Sequence, residues 1–149
     1  MPNVHTLGEN VDFTQSIPPA DRGSGVVTTQ VYTSMLGYEG GMFLIDIGSM
    51  QGLCTLNGKV IMGSDSAGGG SAYLTSSDIT EVAAASSNTQ VGISFRTTQL
   101  TTAKPFVGLG LSTEAVGGVG AALIGATLIR YRARNLPVTT SLTELVVVP

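Results

Sequence analysis

Apolar and polar positions alternate most regularly in Leu123–Pro137, LIGATLIRYRARNLP. There Ile129, Tyr131 and Ala133 fall on one side of an extended chain, and Arg130, Arg132 and Arg134 on the other. A period of two marks a half-buried β-strand. Pro137 closes the element, because proline cannot donate to a ladder. Val91, Ile93 and Phe95 alternate in the same way with Gly92, Ser94 and Arg96. Val26–Met35, VVTTQVYTSM, has the Val, Thr and Tyr content of a strand. Met42–Ile47, MFLIDI, is apolar almost without interruption and reads as a buried strand, with Asp46 as a strand-end carboxylate bonded to turn amides. Pro105–Leu111 reads as a further strand. Ser141–Val148 reads as a final apolar one that either closes the domain or augments a neighbouring subunit.

Turn signals separate these segments. Gly37–Gly41 and Glu114–Gly120 read as glycine-rich turns. Asn57-Gly58 lies between Leu53–Leu56 and Val60–Met62 and predicts a type I′ hairpin; the alternative keeps Leu56–Met62 together with a bulge. Gly63–Ser77, GSDSAGGGSAYLTSS, is a long exposed loop that Tyr73 and Leu74 pin. Thr80–Ala85 fits either one helical turn or a short strand with Val82 inward. Met1–Gly25 holds three prolines and few apolar residues, which makes it an extended N-terminal arm, although Val11 and Phe13 alternate around Asp12 as in a short strand. Seven to nine strands at regular spacing predict an all-β chain. Its expected form is a single β-sandwich or jelly-roll-like domain over residues 26–149, preceded by the arm at residues 1–25.

Composition narrows the function classes. Charged residues are 11% of the 149, against about 25% in an average domain. A surface so poor in charge points to one partly covered by partners. The net charge of −3 gives no nucleic-acid footprint; three of the seven Lys and Arg residues are the trio at Arg130, Arg132 and Arg134. That trio is the candidate partner-contact set, with a merely solvated strand face as the competing reading. The start of the chain shows no secretory signal pattern. The apolar run Ala115–Ile129, broken by four glycines, is short of the roughly 20 residues of a membrane helix.

Catalytic material is thin. His5 is the one histidine and lies in the arm, so a nucleophile–histidine arrangement requires the arm to fold over a pocket. Cys54 is the one cysteine, set in an apolar strand context, which leaves no zinc ligand set and no intrachain disulfide. Asp65, Asp78 and Glu81 are the nearest carboxylates to one another, without the spacing of a calcium loop. Gly117, Gly118 and Gly120 lack the residues that complete a phosphate loop. The four tyrosines and four phenylalanines are dispersed and read as core or interface anchors. No enzyme, cofactor or metal is expected.

Several of these runs together resemble a family. Gly37-Tyr38, Phe43, Ile45, Asp46 and Gly48 fit a Gly-Tyr strand that ends in Ile-Asp-x-Gly. Phe95-Arg96 fits the next strand, and Arg134-Asn135-Leu136-Pro137 fits a basic exit from the last. In these residues the chain resembles the small head-associated structural proteins of tailed bacteriophages, over roughly residues 26–140. The Ala-rich stretch Thr80–Ser87 and the arm depart from the pattern. The resemblance implies a non-enzymatic virion protein with a β-sandwich fold. It implies a capsid decoration or cement role, with the major capsid protein and further copies of itself as partners. The alternatives are a ring-forming tail or neck protein and a carbohydrate-binding β-sandwich that uses Tyr73.

Overall fold

A computed structural model of the chain describes residues 11–23, 25–29, 31–50, 54–83, 88–115 and 122–133. Among them are ten strands: β1 (Val11–Arg22), β2 (Gly25–Thr28), β3 (Thr33–Ser34), β4 (Tyr38–Met50), β5 (Cys54–Gly63), β6 (Ala72–Tyr73), β7 (Ile79–Ala83), β8 (Thr89–Arg96), β9 (Phe106–Ala115) and β10 (Ala122–Ala133). One sheet has the order β1-β10-β4-β8. The other has the order β2-β9-β5, with β6 and β7 both on β5 and β3 also on β9. Every pairing is antiparallel. Without the two-residue strands β3 and β6, eight strands wind as two interleaved four-stranded sheets, β1-β10-β4-β8 and β2-β9-β5-β7. That is the double-sheet jelly roll, so the fold expected from the strand pattern is present.

The two inner faces make one core. Phe43, Ile45 and Ile47 of β4, Ile124, Ala126 and Leu128 of β10, and Ile93 and Phe95 of β8 come from the first sheet. Leu56, Val60 and Met62 of β5 meet them with Val107, Leu109 and Leu111 of β9. Phe43 and Phe95 stack at 5.9 Å between ring centroids. Buried hydroxyls are matched to backbone groups. Ser77 donates to the Leu74 carbonyl and accepts from the Val60 amide. Thr29 exchanges hydrogen bonds with both backbone groups of Leu109 and touches Ser16 of β1 at 2.9 Å. A buried hydroxyl without partners would cost about 1–3 kcal/mol.

The structure departs from the sequence reading in particular places. Asn57-Gly58 is not a turn, since β5 runs through it and pairs with β9 from Cys54 to Gly63. Neither residue has a positive φ. Gly58 instead faces the core, where a Cβ would lie 2.9 Å from Ile79 and Leu111. The weighed alternative, a bulge, occurs on the other edge of β5, between Leu56 and Gly58 in the pairing with β7. Residues 11–22 of the stretch expected as an arm form β1. Its register against β10 slips twice, between Gln15 and Ile17 and between Ile17 and Ala20. Pro18 and Pro19 occupy the second slip, the place an edge strand tolerates proline. Val26–Met35 is divided into β2 and β3 rather than continuous. Of the two readings left open for Thr80–Ala85, the short strand is the one present, at Ile79–Ala83, with Val82 packed against the core. Ser141–Val148 and residues 1–10 lie outside the described residues.

Candidate interaction surface

The arginine trio is the first site to locate. In β10 the core positions are Ile124, Ala126 and Leu128. Arg130 shares their parity and therefore points inward, while Ile129 and Tyr131 point out. The alternation read from sequence holds over Ile129–Tyr131, with Arg130 on the core side. Arg130 forms an ion pair with Asp12 of β1, whose side chain is completely buried. The arginine also donates to the Ser34 carbonyl at 2.7 Å. Its guanidinium lies 4.4 Å from the centre of the Tyr38 ring. Burial pushes the Arg130 pKa below its ordinary value and the Tyr38 phenol above its own. This cluster seals the end of the core by joining β1, β3, β4 and β10. The Arg132 side chain and all of Arg134 lie outside the described residues.

The other singled-out residues are dispersed. Cys54 is fully buried in the core. His5 lies outside the described residues. Asp46 is exposed in mid-strand rather than at a strand end, and it accepts a hydrogen bond from the Gln90 side chain at 2.6 Å rather than from turn amides. Asp78 pairs with Lys59 at 3.0 Å. Asp65 accepts from the amides of Gly69 and Ala67 at 3.0 and 2.9 Å, which holds its carboxyl below the usual range. Among the described residues no three His, Cys, Asp or Glu side chains converge on one point.

The outer face of the β1-β10-β4-β8 sheet is more informative. Pairing sets Phe13, Ile129, Met42 and Ser94 in one row across it, and Gln15, Thr127, Leu44 and Gly92 in the next. The following row is Gly125, Asp46 and Gln90. The centre of the face is thus Phe13, Ile129, Met42 and Leu44, each half-buried, with exposed polar residues towards β8. A groove of about 540 Å³ crosses one end, between Pro19, Gly125, Leu123, Gly48 and Gln90. Leu123 is 40% exposed there. At the opposite end Tyr131 lies flat over Gly40, where a Cβ would meet its hydroxyl oxygen at 2.5 Å. An apolar centre with a polar margin is the anatomy of a protein-binding face. The signal for it was present in Met42–Ile47, whose continuous apolar run exceeds what one buried face requires.

The described face has a definite size. The eight paired positions Gly40–Ile47 across four strands span about 26 Å by about 19 Å, or roughly 500 Å² in projection. A stable interface takes about 800 Å² of accessible surface from each partner.

No protein-family model matches the chain, and no curated protein matches it. Solved structures do share its fold. The crystal structure of the infectious bursal disease virus VP2 subviral particle superposes with a TM-score of 0.53 at 8% identity, over 83% of this chain and 33% of that one. The structure of the Gx strain of the same virus superposes with a TM-score of 0.50 at 12% identity, over 86% of this chain and 33% of that one. The chain therefore spans about a third of the length of these neighbours. At such identities the likeness is one of fold.

Proposed function

We propose that this protein is a non-enzymatic structural component of a virion, a decoration or cement protein of a bacteriophage head. It packs the outer face of the β1-β10-β4-β8 sheet against the major capsid protein and neighbouring copies of itself. The observation that carries the proposal is that face, with Ile129, Met42 and Leu44 at its centre and no charge among them. The jelly-roll fold shared with proteins of virus particles supports the reading. The head-protein resemblance of the sequence adds the bacteriophage and the capsid surface. Many weak copies suffice for cementing, because each apolar contact contributes about 25 cal/mol per Å² and the lattice repeats it. Arg130 is engaged inside the domain with Asp12 and Ser34, so the capsid contact of this reading rests on the apolar face rather than on that arginine.

The test is virion incorporation. Leu44→Asp and Ile129→Asp place a charge in the centre of the face without touching the core. Each variant is expected to remain folded and to be lost from purified particles in which the unaltered protein is abundant. Retention of both variants at the unaltered copy number would refute the face assignment. Labelled protein found as a single ring at the neck would move the role from cement to connector.

A further inference from the structure

The other sheet carries a different feature on its own outer face. Strand alternation brings Asn57, Lys59 and Ile61 of β5 to that face, beside Gly108, Gly110 and Ser112 of β9. Tyr73 of β6 pairs with Ile61 and is 64% exposed. The Lys59 ammonium lies 5.4 Å from the centre of the Tyr73 ring. Thr28 of β2 lies across from Gly110. All of these but Gly108 line an open cleft of about 140 Å³. Gly110 keeps its floor low: a Cβ there would meet Ile61 Cδ1 at 2.9 Å. Tyr32 covers Gly108, which pairs with Ile61, and so brings a second ring to the same face.

The chemistry of this cleft is specific in three respects. An aromatic ring stands on one wall with most of its surface in water, and such a ring is a large apolar platform with a polar tip. Around it stand an amide, two hydroxyls and an ammonium, the few placed polar groups that orient a small ligand. Lys59, the one cation among the described residues that line the cleft, is paired with Asp78 at 3.0 Å, so it offers little net charge to an anion. The volume is also below the roughly 300–1,000 Å³ that engulfs a drug-sized ligand, which leaves room for a single ring.

We propose that this cleft binds one hexopyranose ring of a neutral glycan, its C–H face on Tyr73 and its hydroxyls towards Asn57, Lys59, Thr28 and Ser112. A ring of that size held by one stacking contact and a few hydrogen bonds has a Kd on the order of millimolar, so useful attachment comes from many copies displayed together. The cleft and the apolar face lie on opposite outer surfaces, and the inference stands apart from the virion reading.

The experiment displays the full chain multivalently on beads and probes a glycan array of neutral and sialylated oligosaccharides. Signal is expected on neutral hexose-terminated glycans. Tyr73→Ala should lower it about tenfold, the scale of one lost aromatic contact, and Tyr73→Phe should leave it within about twofold. Gly110→Ala, which raises the floor, serves as the second variant, and circular dichroism checks that each remains folded. Absence of signal across the array would overturn the proposal. So would signal confined to sialylated glycans, or signal that survives both Tyr73→Ala and Gly110→Ala.

Discussion

Removing Asp12 tests the packing logic most directly. Its carboxylate is wholly buried and meets Arg130, whose side chain is 14% exposed. Taking away one partner of a buried pair leaves an uncompensated charge and costs about 3–5 kcal/mol. Arg130 keeps the Ser34 carbonyl and the Tyr38 ring, so the lower end applies to Asp12→Ala, about 3 kcal/mol. That is a large share of the roughly 5–15 kcal/mol that holds a domain folded. In a chain of this length it lowers Tm by about 6–12 °C. The chain has no tryptophan, so unfolding is followed by far-ultraviolet circular dichroism in urea, with tyrosine fluorescence as the second probe. Arg130→Met alone should be similarly harmful. Asp12→Leu combined with Arg130→Met removes both charges and should return to within about 1 kcal/mol of the unaltered protein. An Asp12→Ala cost below about 1 kcal/mol, or a double variant as unstable as the sum of the two singles, would refute the buried-pair reasoning.

Three further outcomes follow from the geometry. A Cβ at Gly40 would lie 2.8 Å from the Phe95 carbonyl oxygen, whereas one at Gly92 has 3.4 Å to Met42; Gly40→Ala should cost about 1–3 kcal/mol and Gly92→Ala should be neutral or stabilising by up to about 1 kcal/mol, both read by urea midpoints. The Asp65 carboxyl has its pKa lowered in the folded loop by the Gly69 and Ala67 amides. Its ordering of the loop is therefore present above the usual carboxylate pKa of about 3.9 and lost as pH falls through the depressed value; the amide shifts of Ala67 and Gly69 should report it, and Asp65→Ala should abolish the transition. Cys54 is fully buried, so a thiol reagent should modify it only at the rate of unfolding, and rapid labelling in native buffer would contradict that placement.

The parts of the fold legible in the sequence were those set by period. Val91, Ile93 and Phe95, and the core side of Met42–Ile47, face inward as alternation predicts. What failed was local turn chemistry overridden by tertiary contact. Asn57-Gly58 carries a hairpin signal, but the glycine is used for closeness to Ile79 and Leu111 rather than for positive φ. Pro18 and Pro19 argued against a strand, yet they occupy a register slip at a sheet edge, with Pro19 packed 3.0 Å from where a Gly125 Cβ would be. Alternation also says which residues share a side without saying which side is core. Arg130 was therefore assigned to solvent, because its buried partner Asp12 lies 118 residues away, beyond any sequence window. The cleft at Tyr73 was legible only in part: the sequence offers Tyr73 as a loop pin or as a carbohydrate contact, while Asn57, Lys59 and Ser112 reach it from other strands.

The pairing of β1 with β10 also sets a clock on synthesis. Among the described strands β1 pairs with β10 alone, and the Arg130 that meets Asp12 lies 118 residues downstream. At a translation rate of about 5–20 residues per second, that interval is roughly 6–24 s. For all that time the first strand lacks its β10 neighbour and the Asp12 carboxylate lacks Arg130. A charge at such a position disfavours pairing with a neighbouring nascent chain. The domain can complete its first sheet only after nearly the whole described chain has emerged.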